Sequence, residues 1–271
     1  MKIVIIGHIC IDHNVSEKTS YIGPGGPGKF INKALSKINN CQISIIAPYG
    51  RDFLSYTKGQ KILPAKPTIN STLTYENITQ NGKRIQKALN RKEARPVKIQ
   101  KEESKIIEQA DVIFITPLLS NFTANYIKKI NRLAKKNVIK VLLPQGYFRS
   151  FDAKNKVTFR KFLEASKVLP LIDFAIVSNR DYPNIENLSS VWARKYKTTI
   201  IITLEDKGAL IVEKDKKTLV PTKAVDKNRI IDSVGCGDVF SAGFAYGYFN
   251  TKSLIKAVDF ANKLARKHLL S

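Results

Sequence analysis

The residues best suited to chemistry lie at positions 232–238, where the sequence reads DSVGCGD. Three small residues stand in a row at its centre: Gly235, Cys236 and Gly237. They separate a predicted extended run at 229–234 from an apolar helical run that starts at Asp238 and ends near residue 249. Glycines let the backbone turn sharply, and a following helix adds unpaired N–H donors and the positive end of its dipole. This turn is therefore predicted to bind an anion beside the Asp238 carboxylate.

An anion pocket next to a carboxylate has the two parts that phosphoryl transfer to a hydroxyl requires. Donors hold the oxygens of the phosphoryl group, and a base accepts the proton of the attacking O–H. The alternative is that Asp238 only caps a helix after a glycine turn, which is a common arrangement.

The elements that position this turn are predicted from alternating helical and extended patterns, which become regular from about residue 101. Strands are predicted at 2–7, 43–47, 112–116, 138–143, 173–177 and 199–204, a hairpin at 209–212 and 217–221, and helices at 29–38, 102–109, 122–135, 186–195 and 252–269. The fold class is α/β, with a doubly wound, mostly parallel sheet flanked by helices. The chain is predicted to form a single domain, 1–271, with a small β lid from about 12–24 and 68–90 and a hairpin turn at 81–82.

Polar residues follow several of these strands. The candidates at or near strand ends are Asp12, residues 144–146, Ser178, Asn179, Thr203 and the turn at 232–238. Carboxyl ends of parallel strands share one edge of a sheet, so these residues are predicted to line one cleft. Gly25 and Gly26, just before a helix, would allow a ligand to approach the backbone closely. For Asp12, a simple turn-forming role is the alternative.

Charge and composition limit the classes of partner. The chain has 46 Lys plus Arg against 22 Asp plus Glu, a formal net charge of +24. The basic residues are dispersed and lack interleaved aromatics, which favours a basic solvated surface over a dedicated nucleic-acid site. No apolar segment reaches membrane-spanning length, and the three cysteines have no paired spacing. We therefore expect a cytoplasmic protein with no membrane partner and no specific nucleic acid.

The turn at 232–238 resembles the D-T-x-G-A-G-D signature of the ribokinase-like (PfkB) carbohydrate kinases. Other segments resemble that family in the same order along the chain: Asp12, Gly25–Gly26, residues 72–84 as lid strands, residues 144–149, residues 203–209 as the nucleotide segment, and Asn262. The resemblance covers nearly the whole chain. It implies the ribokinase fold and phosphorylation of a sugar, polyol or nucleoside hydroxyl with ATP and Mg2+.

The resemblance also implies roles for individual residues. Asp238 is the catalytic base, and the amides of Gly235, Cys236 and Gly237 form the anion hole. Asp12, Gly25 and Gly26 bind the substrate. The residues expected beside the nucleotide or its metal are Asn179, Thr203, Lys207, Gly208, Asp232 and Asn262.

Several positions depart from the family pattern. Phe30 stands where ribokinases carry a sugar-binding Asn, which argues against ribose and resembles inositol-kinase-like members. Glu205 replaces a glycine of the nucleotide segment, and Tyr182 replaces the acidic residue of the metal motif. Asp181 and Glu186 are the neighbouring alternatives for that residue, and no metal ligand is assigned.

Two further options stay open at this stage. The chain could be a non-catalytic ligand-binding or nucleic-acid-associated protein on the same fold, because its charge is high and two nucleotide-site positions are altered. A homodimer formed through the lid is the other option.

Overall fold

Short apolar runs form the strands of this computed structural model, which describes residues 1–15, 20–36, 38, 40–80, 83–231 and 233–270. In chain order the strands are β1 (Lys2–Gly7), β2 (Cys10–Val15), β3 (Ser20–Gly25), β4 (Gln42–Ile46), β5 (Ile62–Leu63), β6 (Thr74–Gln80), β7 (Lys83–Leu89), β8 (Val112–Thr116), β9 (Ile139–Leu142), β10 (Arg149–Phe151), β11 (Val157–Phe159), β12 (Phe174–Ser178), β13 (Thr199–Thr203), β14 (Ala209–Val212) and β15 (Lys217–Val220). The helices are α1 (Pro27–Leu35), α2 (Lys101–Gln109), α3 (Ala124–Leu133), α4 (Ala165–Val168), α5 (Ile185–Tyr196), α6 (Cys236–Thr251) and α7 (Leu254–Leu269).

Nine strands form the main sheet in the order β15-β14-β13-β12-β9-β8-β1-β4-β5. The pairs from β13 to β5 are parallel, and β14 and β15 add an antiparallel edge. Strands buried on both faces are apolar throughout, and β8, VIFIT, is buried at all five positions. The predicted α/β fold class is confirmed.

Helices cover both faces of this sheet because alternate strand residues point to opposite sides. On one side, Val4 and Ile6 of β1 join a core with residues of α2, α3, α4 and α5. On the other side, Ile3 and Ile5 join a core with residues of α1, α6 and α7. The start of α6, which carries the candidate turn, is thereby packed beside the sheet.

A second sheet has four strands in the order β3-β2-β6-β7. We call it the lid sheet. Strand β2 pairs with β3 antiparallel and with β6 parallel, and β6 pairs with β7 antiparallel. The predicted hairpin turn at 81–82 lies outside the described residues.

Several sequence expectations differ from the structure. Asp12 does not follow β1 at the edge of the main sheet but lies within β2 of the lid sheet. The run at 229–234 forms no strand where it is described, and α6 begins at Cys236 rather than at Asp238. The β10–β11 hairpin was not predicted. Among the helices described, none is long and apolar enough to cross a membrane.

Candidate active site

Helix α6 begins directly after Gly235, the residue that turns the chain into it. Its φ of 78° lies in the left-handed region, which favours glycine. A Cβ at this position would lie 2.2 Å from Cδ1 of Phe30, so the aromatic ring occupies the space that any other residue would need. His268 packs edge-on against Phe30 at 6.1 Å between ring centroids. Phe30 therefore supports the turn from the side of α1.

The backbone N–H groups at the start of α6 differ in whether they already have an acceptor within the protein. The Cys236 N–H donates to the Ser233 carbonyl at 3.2 Å, so this expected anion-hole donor is held within the turn. Gly237 and Asp238 lie in the first helical turn, whose N–H groups have no acceptor within the helix itself. A Cβ on Gly237 would meet no described atom within 4 Å, so the space in front of it is open. Gly237 and Asp238 thus offer the amides that an anion could reach.

A cavity of about 90 Å³ lies between the start of α6 and the carboxyl ends of β12 and β13. Its polar lining residues are Gln145, Ser178, Asp181, Thr203, Gly237, Asp238 and Ser241. The structure therefore brings together the predicted turn and three of the predicted strand-end positions, Gln145, Ser178 and Thr203.

Asp238 is the third residue of α6, and Gly235 is the N-cap residue. The pKa of the Asp238 carboxyl is raised to about 7, first by burial and then by the negative charges of Asp12 and Asp181, while the Arg149 guanidinium opposes this shift. The positive end of a helix dipole favours the ionised form of a carboxyl in the first turn. For Asp238 burial is the larger effect, so the carboxyl is about half protonated near pH 7.

Asp12 reaches the site from the lid sheet. Its side chain is buried and accepts a hydrogen bond from Cys10 Sγ at 3.4 Å. A Cβ on Gly25 would lie 2.0 Å from Asp12 Oδ2, so only glycine leaves room for this carboxylate. Gly26, with φ of 83°, would place a Cβ 3.4 Å from Cys10 Sγ and 3.2 Å from the His8 carbonyl oxygen. The absence of side chains at these two glycines therefore leaves room for Asp12 and Cys10.

Arg149 is a site residue that the sequence reasoning did not single out. It begins β10, and its guanidinium lies 5.0 Å from the centroid of the Tyr75 ring. The Tyr75 hydroxyl donates to the Leu118 carbonyl at 2.9 Å, which fixes that ring. Arg149 lowers the pKa of Asp238 and of Asp181, so its charge acts on both carboxyls that line the cavity. The only available signal was its place at the end of the segment 144–149.

Two of the expected nucleotide residues are joined directly at neighbouring strand ends. Asn179 follows β12, and its N–H donates to the carbonyl of Thr203 at 3.1 Å. Beside them, Glu205 forms a bidentate ion pair with Arg180. Glu205 has φ of 58°, which explains why glycine is suited to this position.

The remaining expected nucleotide residues lie further along the same loop and on α7. Lys207 is exposed, and Gly208 has φ of 99° with the Val220 carbonyl oxygen 2.3 Å from where its Cβ would be. Asn262 is buried and donates through Nδ2 to the carbonyls of Val220, at 3.2 Å, and Pro221, at 3.4 Å. Asp232, the sixth of these candidates, lies outside the described residues.

Of the two alternatives for a metal-site carboxylate, only Asp181 lines the cavity. Its Oδ2 accepts from the Ser178 N–H at 2.8 Å. Glu186 is exposed and pairs with Lys217 at 2.8 Å. No group of three or more His, Cys, Asp or Glu that could hold a metal occurs among the described residues. Mg2+ commonly uses one or two carboxylates together with water and substrate phosphates, so the Asp181 carboxylate, which lines the cavity, would fit such a site.

His8 has a structural role. Its Nδ1 accepts from the Leu118 N–H at 3.0 Å, and its Nε2 lies 3.0 Å from the Ala94 carbonyl oxygen. Burial lowers its pKa to about 4, so it stays neutral at physiological pH.

Comparison with known proteins decides the family. The family model described as pfkB family carbohydrate kinase matches residues 2–270. The chain belongs to the pfkB family of carbohydrate kinases. No curated protein matches it in sequence.

Solved structures of related kinases share the fold of this pfkB-family chain. A pyrophosphate-dependent kinase of the ribokinase family, solved as a sulfate complex, has 18% sequence identity and a TM-score of 0.78 over 99% of this chain and 95% of its own. Ribokinase from Thermotoga maritima has 18% identity and a TM-score of 0.70 over 100% and 93%. Adenosine kinase from Sinorhizobium meliloti has 13% identity and a TM-score of 0.70 over 100% and 94%. At these identities the likeness shows the ribokinase-like fold alone.

Proposed function

We propose that this chain transfers a phosphoryl group to a hydroxyl of a sugar, polyol or nucleoside, with Asp238 as the base. The observation that supports it most is the position of Asp238. It lies at the start of α6, lines the cavity, and is close enough to Asp12 and Arg149 for their charges to shift its pKa. A proton acceptor, helix amides and a guanidinium thus meet at the carboxyl edge of a parallel sheet.

The proposed reaction is a single displacement. The acceptor oxygen bonds to the terminal phosphorus of the donor while the bond from that phosphorus to the bridging oxygen breaks, and the hydroxyl proton passes to Asp238. The amides of Gly237 and Asp238 and the Arg149 guanidinium stabilise the charge on the phosphoryl oxygens. Mg2+, when bound, neutralises charge on the donor phosphates. In this proposal the lid sheet, carrying Asp12, covers the acceptor and excludes water.

Two donors are candidates, and different observations support each. ATP is implied by the family motifs at residues 203–209 and Asn262. Inorganic pyrophosphate is supported by similar structures, one of which is a pyrophosphate-dependent kinase complexed with a pyrophosphate analog and myo-inositol. Two features of this chain also favour a donor without a nucleoside: the Arg180–Glu205 pair lies in the nucleotide segment, and the Asn262 amide group already donates to two carbonyls.

Myo-inositol is the first acceptor to test, because Phe30 resembles the aromatic residue of inositol-kinase-like members. A related pyrophosphate-dependent myo-inositol-1 kinase has been converted into a myo-inositol-3 kinase by two substitutions. The acceptor panel should also include D-ribose, D-fructose and adenosine, each with ATP–Mg2+ and with pyrophosphate–Mg2+.

The test of the base is Asp238→Asn, measured against Asp215→Asn as the matched control. Asp215 is an exposed carboxylate in the turn between β14 and β15, outside the cavity and outside the segment 203–209. We expect Asp238→Asn to lose about three orders of magnitude in kcat with the best donor and acceptor, while Asp215→Asn stays near wild type. Near-wild-type turnover by Asp238→Asn would contradict the assigned base. Failure of the wild type to phosphorylate any acceptor with either donor would favour the non-catalytic alternative.

A further inference from the structure

One face of the lid sheet carries two successive rows of polar residues. Strand pairing places Asp12 level with Tyr75, and Asn14 level with Asn77. Asn77 is in turn level with Gln86 of β7. Residues two apart on a strand share a face and lie about 7 Å apart, so the row that contains Asn14 continues the face that contains Asp12.

The second row forms a directed chain of side-chain amides. Gln86 Nε2 donates to Asn77 Oδ1 at 2.7 Å, and Asn77 Nδ2 donates to Asn14 Oδ1 at 3.0 Å. In this arrangement Asn77 accepts from Gln86 and donates to Asn14. Asn14 Nδ2 is left as a buried donor that has no partner among the described residues. A buried donor without an acceptor destabilises the protein, so an oxygen or nitrogen atom supplied by a ligand would stabilise this side chain.

Open space adjoins the same face. Gly23 of β3 is level with Asp12 and is buried, yet a Cβ built on it would meet no described atom within 4 Å. Its neighbour Gly25, by contrast, would place a Cβ against the Asp12 carboxylate. A space is therefore present beside Asp12, on the side of the sheet that faces Arg149 and Asp238.

We propose that Asn14 Nδ2 binds one hydroxyl of the phosphoryl acceptor, and that the Gln86–Asn77–Asn14 chain selects a ring polyol over a nucleoside. The inference rests on the proposed kinase function. The acceptor ring lies over Gly23 between Asp12 and Asn14, with the reacting hydroxyl toward Asp238. The polar groups of both rows are carboxylate and amide, which bind hydroxyls, and Arg149 covers the aromatic ring of Tyr75. Asn77 and Gln86 act as positioning residues that hold the Asn14 amide in one orientation.

The experiment pairs Asn14→Ala with acceptors that each lack one hydroxyl. Wild type and variant are assayed for kcat/KM with myo-inositol and its mono-deoxy isomers. In the wild type, each mono-deoxy isomer is compared with myo-inositol. The kcat/KM of one isomer is expected to fall at least about tenfold more than that of the others, because this isomer lacks the hydroxyl that pairs with Asn14 Nδ2. In Asn14→Ala that extra loss is expected to disappear, while the losses of the other isomers persist. Gln86→Met removes the donor to Asn77 and so loosens the Asn14 amide indirectly. It is expected to reduce the difference in kcat/KM between the isomers only in part.

Asn131→Asp is the matched control. Asn131 is also half-buried, has one amide atom without a partner, and lies on α3, away from the lid sheet. It should leave the ranking of the mono-deoxy isomers unchanged. The proposal would be overturned if each mono-deoxy isomer showed the same fall in kcat/KM in Asn14→Ala as in wild type.

A second variant tests the position of the ring independently. Gly23→Val fills the open space beside Asp12, and it is expected to raise the KM for the acceptor at least about tenfold while KM for the donor and the melting temperature stay unchanged. An unchanged acceptor KM would overturn the placement of the ring.

Direct binding separates this inference from the kinase proposal. If the wild type phosphorylates no acceptor, calorimetry with myo-inositol and D-ribose still tests Asn14. Polyol binding that weakens about tenfold in Asn14→Ala supports the site without the activity. No binding of either polyol to the wild type overturns both.

Discussion

Replacing Asp238 by Asn should change the pH dependence of folding stability. The carboxyl has its pKa raised from 3.8 to about 7 in the folded protein, with burial as the first cause. The folded protein therefore holds the Asp238 proton over a pH range in which the unfolded chain has lost it. The resulting stability is present below about pH 4 and is lost as pH rises through about 7. Asn carries no such proton, so its stability relative to wild type should increase over this range.

The size of the effect follows from the pKa difference. A shift from 3.8 to about 7 corresponds to an upper limit of about 4 kcal/mol. Asp238 keeps part of its surface exposed toward the cleft, and solvent screening reduces that limit, so we expect about 2 kcal/mol. Most of the change should occur between about pH 4.5 and 7, with a plateau at higher pH.

The assay is urea unfolding of wild type, Asp238→Asn and Asp206→Asn at pH 4.5 and pH 8, without phosphate donor or divalent cation. Comparing each variant with wild type at the same pH cancels the titration of the groups that do not interact with Asp238. From pH 4.5 to pH 8, the free energy of unfolding of Asp238→Asn relative to wild type should increase by about 2 kcal/mol. The corresponding difference for Asp206→Asn, at an exposed position, should stay constant. An equal difference at both pH values for Asp238→Asn would refute the buried, proton-holding carboxyl.

Three further outcomes are expected. The kcat/KM of the wild type should fall tenfold per pH unit below about 7, because Asp238 must be ionised to accept a proton; a pH–rate profile measures this. Arg149→Met should move that acid limb to higher pH, since Arg149 lowers the pKa of Asp238; an unmoved limb would place Arg149 outside the site. Gly235→Ala should destabilise the protein more than Gly59→Ala by at least about 1 kcal/mol in urea unfolding, because both have positive φ, 78° and 76°, but only Gly235 would meet a neighbour, Phe30.

The main sheet could be predicted from the sequence because its strands are buried on both faces. Strand β8 was located to the residue, since VIFIT is apolar until its last position and is bounded by Asp111 and Pro117. Burial on both faces removes the need for polar residues within the strand, so local composition alone marks it.

The lid sheet was only partly predicted, because its strands face the cleft with polar residues. Strand β2 reads CIDHNV, and β3 reads SYIGPG. Neither has an apolar run, and β3 contains a proline and two glycines, which are typical of loops. Strand β2 pairs with its neighbour β3 and also with β6, and the second pairing joins distant segments that no local pattern connects. Asp12 was named as a candidate for its position after β1, whereas its location depends on this pairing.

Arg149 shows the limit of residue-type reasoning in a basic chain. It is one of 46 lysines and arginines, and its charge does not distinguish it. The β10–β11 hairpin and the Tyr75 ring place it beside the carboxyls. The pKa of Asp238 could not be predicted for the same reason, since it depends on the burial of the group and on three charged neighbours from separate elements.

The charges around Asp238 set a compromise that suits a late proton transfer. Asp12 and Asp181 raise its pKa and make it a stronger base, whereas Arg149 lowers the pKa and keeps a useful fraction ionised. In a loose transition state the attacking hydroxyl loses its proton late, so a base with a pKa near the working pH combines availability with proton affinity. A fully ionised, solvent-exposed aspartate would be always available but a weaker acceptor. The cluster of three carboxylates around one guanidinium is therefore better matched to proton transfer at Asp238 than to a simple structural ion pair.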